Sequence, residues 1–377
     1  MDPLAHTLFG ATMAEAGLKR KTALATATLI IGANIPDVDG VAMLVSSDYA
    51  LLMRRGWTHG ILALMVWPFI LAGTMYGIDR LMMRWKRLKG RGRNGPPMNP
   101  RWLLGVAFLG VWSHPLLDWL NTYGVRLLMP FSETWFYGDT LFIVDPWLWL
   151  LTGAAVVLAR SNSWKSITAW IVLGTAATAL VITAGIVPLA VKIIWSIGIA
   201  IIILIRWLGR FQQFAQPVAL SLLIITILYI AFMYTGARMT VKHANNYLSE
   251  KGVEAAVVMP NPVPAQPLLR TGLAASDSHY YRFSVNWMKS ESFEISGEPI
   301  PIRPVDRIVE AAFSAPELQG LRNWIRFPHY EVQERDDGWR VIIRDLRYVH
   351  PDQTDAVGIG MAVVDLDSNF QILSVQQ

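Results

Sequence analysis

The sequence predicts an α-helical polytopic membrane bundle, about seven spans preceded by a short N-terminal helix, followed by a small soluble α+β domain. Three observations carry this. Of 377 residues 53% are hydrophobic and 16% charged, too little charge for a soluble domain of that size. The long apolar runs end near residue 236. Beyond them the chain is polar and charged, with short runs that alternate at the strand period. The division this implies is a membrane-embedded core over residues 1–158, further transmembrane helices over 159–237, an amphipathic stretch with a Pro-rich linker over 238–267, and a soluble domain over 268–377.

Asp2 followed by Pro3 suits the cap and first turn of a helix over residues 3–17, short for a full span. The opening "MDPLAHTLFG" lacks a basic n-region and holds a histidine in its apolar stretch, so it is expected to stay in the mature protein. Apolar segments follow at 22–36, 60–82, 102–122, 141–159, 166–186, 188–205 and 217–236. Lys/Arg clusters at 19–21 and 84–93, Arg160 with Lys165, and Arg206 with Arg210 are expected on the inner side, and the spans then alternate without conflict. The loops 37–58, 123–140 and about 186–188, and the tail from Arg238, then face outward, into the periplasm of a Gram-negative cell. The tail reads as an amphipathic stretch at 238–250, an extended "MPNPVPAQP" linker at 259–267, a helix near 305–325, and strands in "HYYRFSVNW", "SFEISG", "HYEVQE", "GWRVIIRDLRYV", "GIGMAVVDLD" and "FQILSVQ".

Composition narrows the function. The net charge of +5 lies largely in short clusters beside the spans, which speaks for membrane orientation and against a nucleic-acid partner. The absence of cysteine is compatible with an oxidising compartment without requiring one. No Walker or Gly-Xaa-Ser-Xaa-Gly motif is evident, and no Rossmann motif in its strand-to-helix context.

Ionisable side chains in spans are costly and mark cavities or partners. His6 lies in the first helix, Asp37 and Asp39 end the next segment, His59 opens the third, and His114 and Asp118 occupy the fourth, four apart and on one face with Asn121. Under the orientation above, all fall at the outer edge of the membrane. Each has a plain alternative taken alone: His6 as a core histidine satisfied by Asp2 or Thr7, the two aspartates as loop caps, His59 as a helix-start residue, and the His114/Asp118 spacing as a hydrogen-bonded pair. Together, three imidazoles and three carboxylates at one depth suit Zn2+ or another divalent cation. Arg54 and Arg55, on the outer side against the charge rule, are either tolerated loop arginines or an anion-binding pair.

"HTLFG", "NIPDVDG", "RRGWTHG" and "HPLLDWLNTYG", in that order over roughly residues 1–150, resemble the YdjM-type family of bacterial inner-membrane metal-dependent hydrolases. That family is itself similar to zinc-dependent phospholipase C and the S1/P1 nucleases. The resemblance implies phosphoester chemistry at an outward-facing site of one to three metal ions. It marks His6, Asp37, Asp39, His59, His114 and Asp118 as ligands and adds Asp145, in "LFIVDPWLW". A later His-xxx-Glu pair that helps complete the three-zinc site of the phospholipases is missing, so one or two ions are as compatible as three.

The expected mechanism is metal-assisted hydrolysis, with Asp37 or Asp39 as the base, Arg54, Arg55 and Arg126 on the substrate phosphate, and Asn121 orienting the substrate or a ligand carboxylate. A site at that depth favours a lipid or amphiphilic phosphoester. Two rivals stand beside it: a structural polar cluster with a tail that docks envelope partners, and a cation or proton path. The path would need polar residues through the inner halves of the spans, where few occur.

Overall fold

Pro3 enters the first helix without an amide hydrogen to satisfy, and the Asp2 carboxylate accepts from the Ala5 amide at 3.0 Å, so α1 runs over Pro3–Glu15. The computed structural model describes residues 1–209, 212–290, 292–348 and 358–377; Arg210 and Val349, both used in the sequence reading, lie outside them. Helices α2 (Ala25–Gly32), α3 (Ser47–Met53), α4 (Ile61–Leu88), α5 (Pro100–Trp119), α6 (Pro146–Arg160), α7 (Trp164–Thr183), α8 (Leu189–Trp207) and α9 (Ala215–Glu250) follow, with a 310 stretch at Ile35–Leu44 between α2 and α3.

Among the described residues, four helices are long and apolar enough to cross a membrane: α4, α7, α8 and α9. Helix α2 and the 310 stretch after it, bent by 44°, add a fifth if they form one broken span. The expected count of about seven is therefore four or five by length and composition. The physical reasons are local. Helix α6 has 15 residues, short of the hydrocarbon thickness, and α5 gives up apolar character to Arg101, His114 and Asp118. Of the described residues of α7 only Val181 is buried, and of α8 only Val191 and Trp195, which leaves their isoleucines and leucines facing outward, as helices bathed in lipid require.

The chain packs as two units. The first comprises Met1–Pro36, Thr58–Gly236 and Pro262–Pro267; the second comprises Asp37–Trp57, Ala237–Asn261 and Leu268–Gln377. In the first unit, one apolar core gathers Leu29, Leu71, Met75, Leu103, Val106 and Val111, and another gathers Leu117, Leu141, Leu148, Trp149, Val191 and Trp195.

The second unit holds two antiparallel sheets. In one, β1 (Val257–Pro262), β2 (Leu269–Ala275), β3 (His279–Asn286) and β4 (Phe293–Ile295) lie side by side, and β5 (Ile300–Pro301) also pairs with β3. Two short helices follow, α10 (Arg307–Phe313) and α11 (Gln319–Trp324). The other sheet is the meander β6 (Pro328–Arg335), β7 (Gly338–Asp345), β8 (Met361–Asp367) and β9 (Ile372–Gln376).

The stretch read as amphipathic, 238–250, is the continuation of α9. Ala237, Thr240, Ala244 and Leu248, three or four apart, form its buried stripe, and Ala244 and Leu248 pack with Ala274, Phe283 and Val285. Part of the expected linker is strand β1. Two prolines are tolerated there because β1 lies at the edge of its sheet, where a missing amide donor breaks no ladder.

Candidate metal centre

Small residues bring three helices of the first unit together. A Cβ on Gly10 would stand 2.8 Å from the Leu29 carbonyl oxygen, one on Gly32 3.0 Å from the Val111 amide, and one on Gly110 3.0 Å from the Leu29 carbonyl oxygen. Backbones of α1, α2 and α5 therefore approach as closely as glycine allows, the packing mode favoured where lipid gives no hydrophobic drive between helices. This contact sets His6, the Ala33 end of α2, and His114 beside one another. His59 precedes α4 at Gly60, where a Cβ would clash at 2.3 Å with the Met129 carbonyl oxygen, and Ile61 N–H donates to the Leu127 carbonyl at 2.8 Å.

His6, His59, His114 and Asp118 are all fully buried. Their polar atoms converge. The Asp118 carboxylate has His6 Nε2 at 3.2 Å from one oxygen, and His59 Nε2 at 3.3 Å and His114 Nε2 at 3.4 Å from the other. The two imidazole nitrogens of His59 and His114 stand 3.1 Å apart, and the His6 ring stacks on His114 at 3.9 Å between centroids. His59, His114 and Asp118 each offer a ligand atom within 4.8 Å of the others. The α-amino group of Met1 also contacts Asp118.

The outer nitrogens decide what the inner ones can do. His114 Nδ1 lies 2.7 Å from the Ala33 carbonyl oxygen, which only accepts, so Nδ1 carries the proton and Nε2 of the neutral ring presents its lone pair to the centre. His59 Nδ1 is 2.9 Å from the Thr58 hydroxyl. This is the orienting arrangement that metal-ligating histidines require. The His114 Nε2 lone pair, the His59 Nε2 3.1 Å from it and a carboxylate beside them, closed off from water, form a donor set that fits a divalent cation with a preference for nitrogen and oxygen, such as Zn2+.

The other sequence-selected residues are placed as follows. Asp37 and Asp39 lie on the 310 stretch, at the start of the second unit, directly after Pro36. Within that unit Arg54 Nη2 is 3.7 Å from the Asp37 carboxylate, and the Arg55 amide donates to Asp39 at 2.9 Å. Arg55 holds a left-handed backbone (φ 53°) and is buried. In the first unit, Asn121 accepts from the Tyr123 amide at 2.9 Å and so closes the turn after α5. Arg126 is buried with its guanidinium 4.8 Å over the Trp135 ring. Asp145 caps α6 through the Leu148 amide at 2.9 Å and accepts from the Tyr229 hydroxyl at 2.8 Å, which gives it two structural partners.

Two contributors escaped the sequence reading. Thr58 stands next to His59 in "GWTHG", and a hydroxyl beside a candidate ligand is a readable signal. The Ala33 carbonyl is a backbone group at the C-cap of α2, and no side-chain pattern announces it.

Residues 1–188 match the family model described as YdjM inner membrane protein. The uncharacterized protein YfhP of Bacillus subtilis (strain 168) is 27% identical over 143 residues, 37% of this chain and 38% of that protein. The chain thus spans well under half the length of this relative. No solved structure matches it. With its four or five apolar helices and this match across the helices that carry the histidines, the chain is a multi-pass inner membrane protein and belongs to the YdjM inner membrane protein family.

Proposed function

We propose that the protein is a metal-dependent hydrolase of phosphoester bonds in a lipid or amphiphilic substrate, working at the outer face of the inner membrane. The observation that carries the reading is the convergence of His59 and His114 Nε2 on the Asp118 carboxylate, with His114 fixed in the ligating tautomer by the Ala33 carbonyl.

When bound, a divalent cation, Zn2+ first among the candidates, supplies Lewis acidity and makes water a nucleophile near neutral pH. In this reading His59, His114 and Asp118 hold it, His6 braces Asp118 and His114, and the family resemblance marks Asp37 as a further ligand. Asp39 serves as the base. Arg54, partly exposed, takes a phosphate oxygen, since guanidinium matches phosphate geometry. Arg55 and Arg126, both buried, hold their loops in shape.

The test is metal content by mass spectrometry on full-length protein purified in detergent without chelators, wild type beside the His114→Ala/Asp118→Ala double variant. About one to three equivalents of metal in the wild type, lost in the variant, are expected. Folded wild-type protein free of metal would overturn the reading and leave the cluster as a hydrogen-bonded structural core.

A further inference from the structure

The end of the bundle away from the histidines carries a second feature. A cleft of about 430 Å³ is lined by Lys19, Lys86, Arg93, Arg160, Asp79 and the first turn of α2. A second cleft, of about 480 Å³, shares Lys19 and Arg160 with it and adds Asn162, Ser166 and Trp170. Both are of the size that holds a small ligand or headgroup.

Among the described residues, their positive charge is not fully balanced. Arg93 meets Asp79 with two bonds at 2.7 and 2.8 Å, and Arg160 and Lys19 both pair with buried Glu15. Four cations thus face two carboxylates, a surplus of two positive charges at the lining. The pairs also hold the cations in place, and Arg160 Nη2 reaches the Thr26 hydroxyl at 3.1 Å. The first turn of α2 supports the same sign, because Leu24 at its N-cap has no oxygen in its side chain to accept from the helix amides.

The level of the clefts is marked independently. Trp85, Trp102 and Trp164 are exposed at the end of α4 and the starts of α5 and α7, and each has a lysine over its ring: Lys89 at 3.7 Å, Lys21 at 4.9 Å and Lys165 at 5.7 Å. Exposed tryptophans with lysines beside them are the mark of the membrane–water interface, where lipid phosphates lie. Basic pockets between helices at that level recognise acidic headgroups.

We infer that these joined clefts bind the phosphate of an anionic phospholipid headgroup, at the end of the bundle opposite the candidate metal centre. The site is independent of the hydrolase reading. Its ligand is held by charge and by cleft shape, while the acyl chains run along the exposed apolar faces of α4 and α7.

The experiment uses delipidated full-length protein in a neutral detergent, with native mass spectrometry counting bound lipid. Phosphatidylglycerol is titrated against phosphatidylcholine of the same chains, and inorganic phosphate is added as competitor. Phosphatidylglycerol should bind more tightly than phosphatidylcholine. The Lys19→Gln/Lys86→Gln variant should bind it about thirtyfold more weakly, each basic residue near an anionic headgroup contributing about fivefold. Both carboxylates keep an arginine partner in that variant, and its metal content should equal wild type. Lys19→Arg/Lys86→Arg should restore binding. Equal binding of the two lipids, or undiminished binding by the glutamine variant, would overturn the inference. Displacement of phosphatidylglycerol by an equal concentration of inorganic phosphate would assign the clefts to a soluble anion and overturn it as well.

Discussion

Asp118 and Glu15 are both carboxylates buried to about the last percent in the same helical unit, and they are buried in opposite company. Glu15 is met by Arg160 at 2.6 Å and by Lys19, two permanent cations whose own side chains remain about 40% exposed. Asp118 is met by three imidazoles, whose charge is optional, and by the chain's amino group. A buried negative charge needs compensation wherever it sits. At Glu15 the protein supplies it outright. At Asp118 the only cation is the Met1 amino group, and the side chains it meets are imidazoles whose nitrogens a metal ion can share, so it is the partners, and not the burial, that separate a candidate site from a side-chain ion pair.

The comparison breaks most visibly by removing an imidazole. His114→Ala should lower bound metal at least tenfold, since even the groups that merely orient ligands carry tenfold to a hundredfold of metal affinity. It should also abolish the stabilisation that added Zn2+ gives the wild type, about 2.7 kcal/mol at a hundredfold excess over Kd. Thermal unfolding with and without Zn2+ checks this. A wild type that Zn2+ does not stabilise, or a variant stabilised equally, would put Asp118 in the same class as Glu15.

Glu15→Gln is the converse. Metal content should stay at wild type, because Glu15 meets only Arg160 and Lys19 in the cluster described. Stability should fall by about 1 to 2 kcal/mol, below the 3 to 5 kcal/mol of a fully buried broken pair, because both cations can turn to water. Thermal unfolding beside metal analysis separates the effects, and loss of metal on Glu15→Gln would show that the two clusters are coupled.

Much of this contrast was legible in the sequence. The spacing of His114 and Asp118 put both on one helix face, and the apolar context made them costly enough to notice. His6 and His59 join them through the charge pattern of the loops, which places them at one depth, and through the motifs "HTLFG" and "RRGWTHG", which carry the family resemblance. Glu15 carries no such mark, because at a helix end close to "KRK" it reads as an interfacial charge. The span count also differs between sequence and structure. In the sequence 102–122 and 141–159 count as spans, whereas α5, which gives residues to a polar centre, and the 15-residue α6 are not among the helices long and apolar enough to cross. Asp145, which only the resemblance marks, caps α6. The strand β1 hid behind two prolines, whose tolerance depends on an edge position that only the sheet order reveals.

The smallest effect should come from the same chemistry at a surface. Asp365 on β8 takes two bonds from Arg340 on β7, at 2.7 and 2.9 Å, and one from the Ser374 hydroxyl at 3.0 Å. The Arg340 bonds hold its carboxyl below the usual 3.8. The unfolded chain therefore takes up the proton first on acidification. The contribution of the pair is complete above pH 3.8 and is lost as the pH falls through the lower value of the folded state. Open to solvent, it should amount to about 0.5 kcal/mol. Asp365→Asn should thus lower the protection of β7 and β8 amides against hydrogen exchange about twofold at pH 7, with the gap to wild type closing in acid. A gap that persists at pH 2 would show that the side chain acts by shape and hydrogen bonding, and the gradient from Asp118 through Glu15 to Asp365 would then not be one of charge compensation alone.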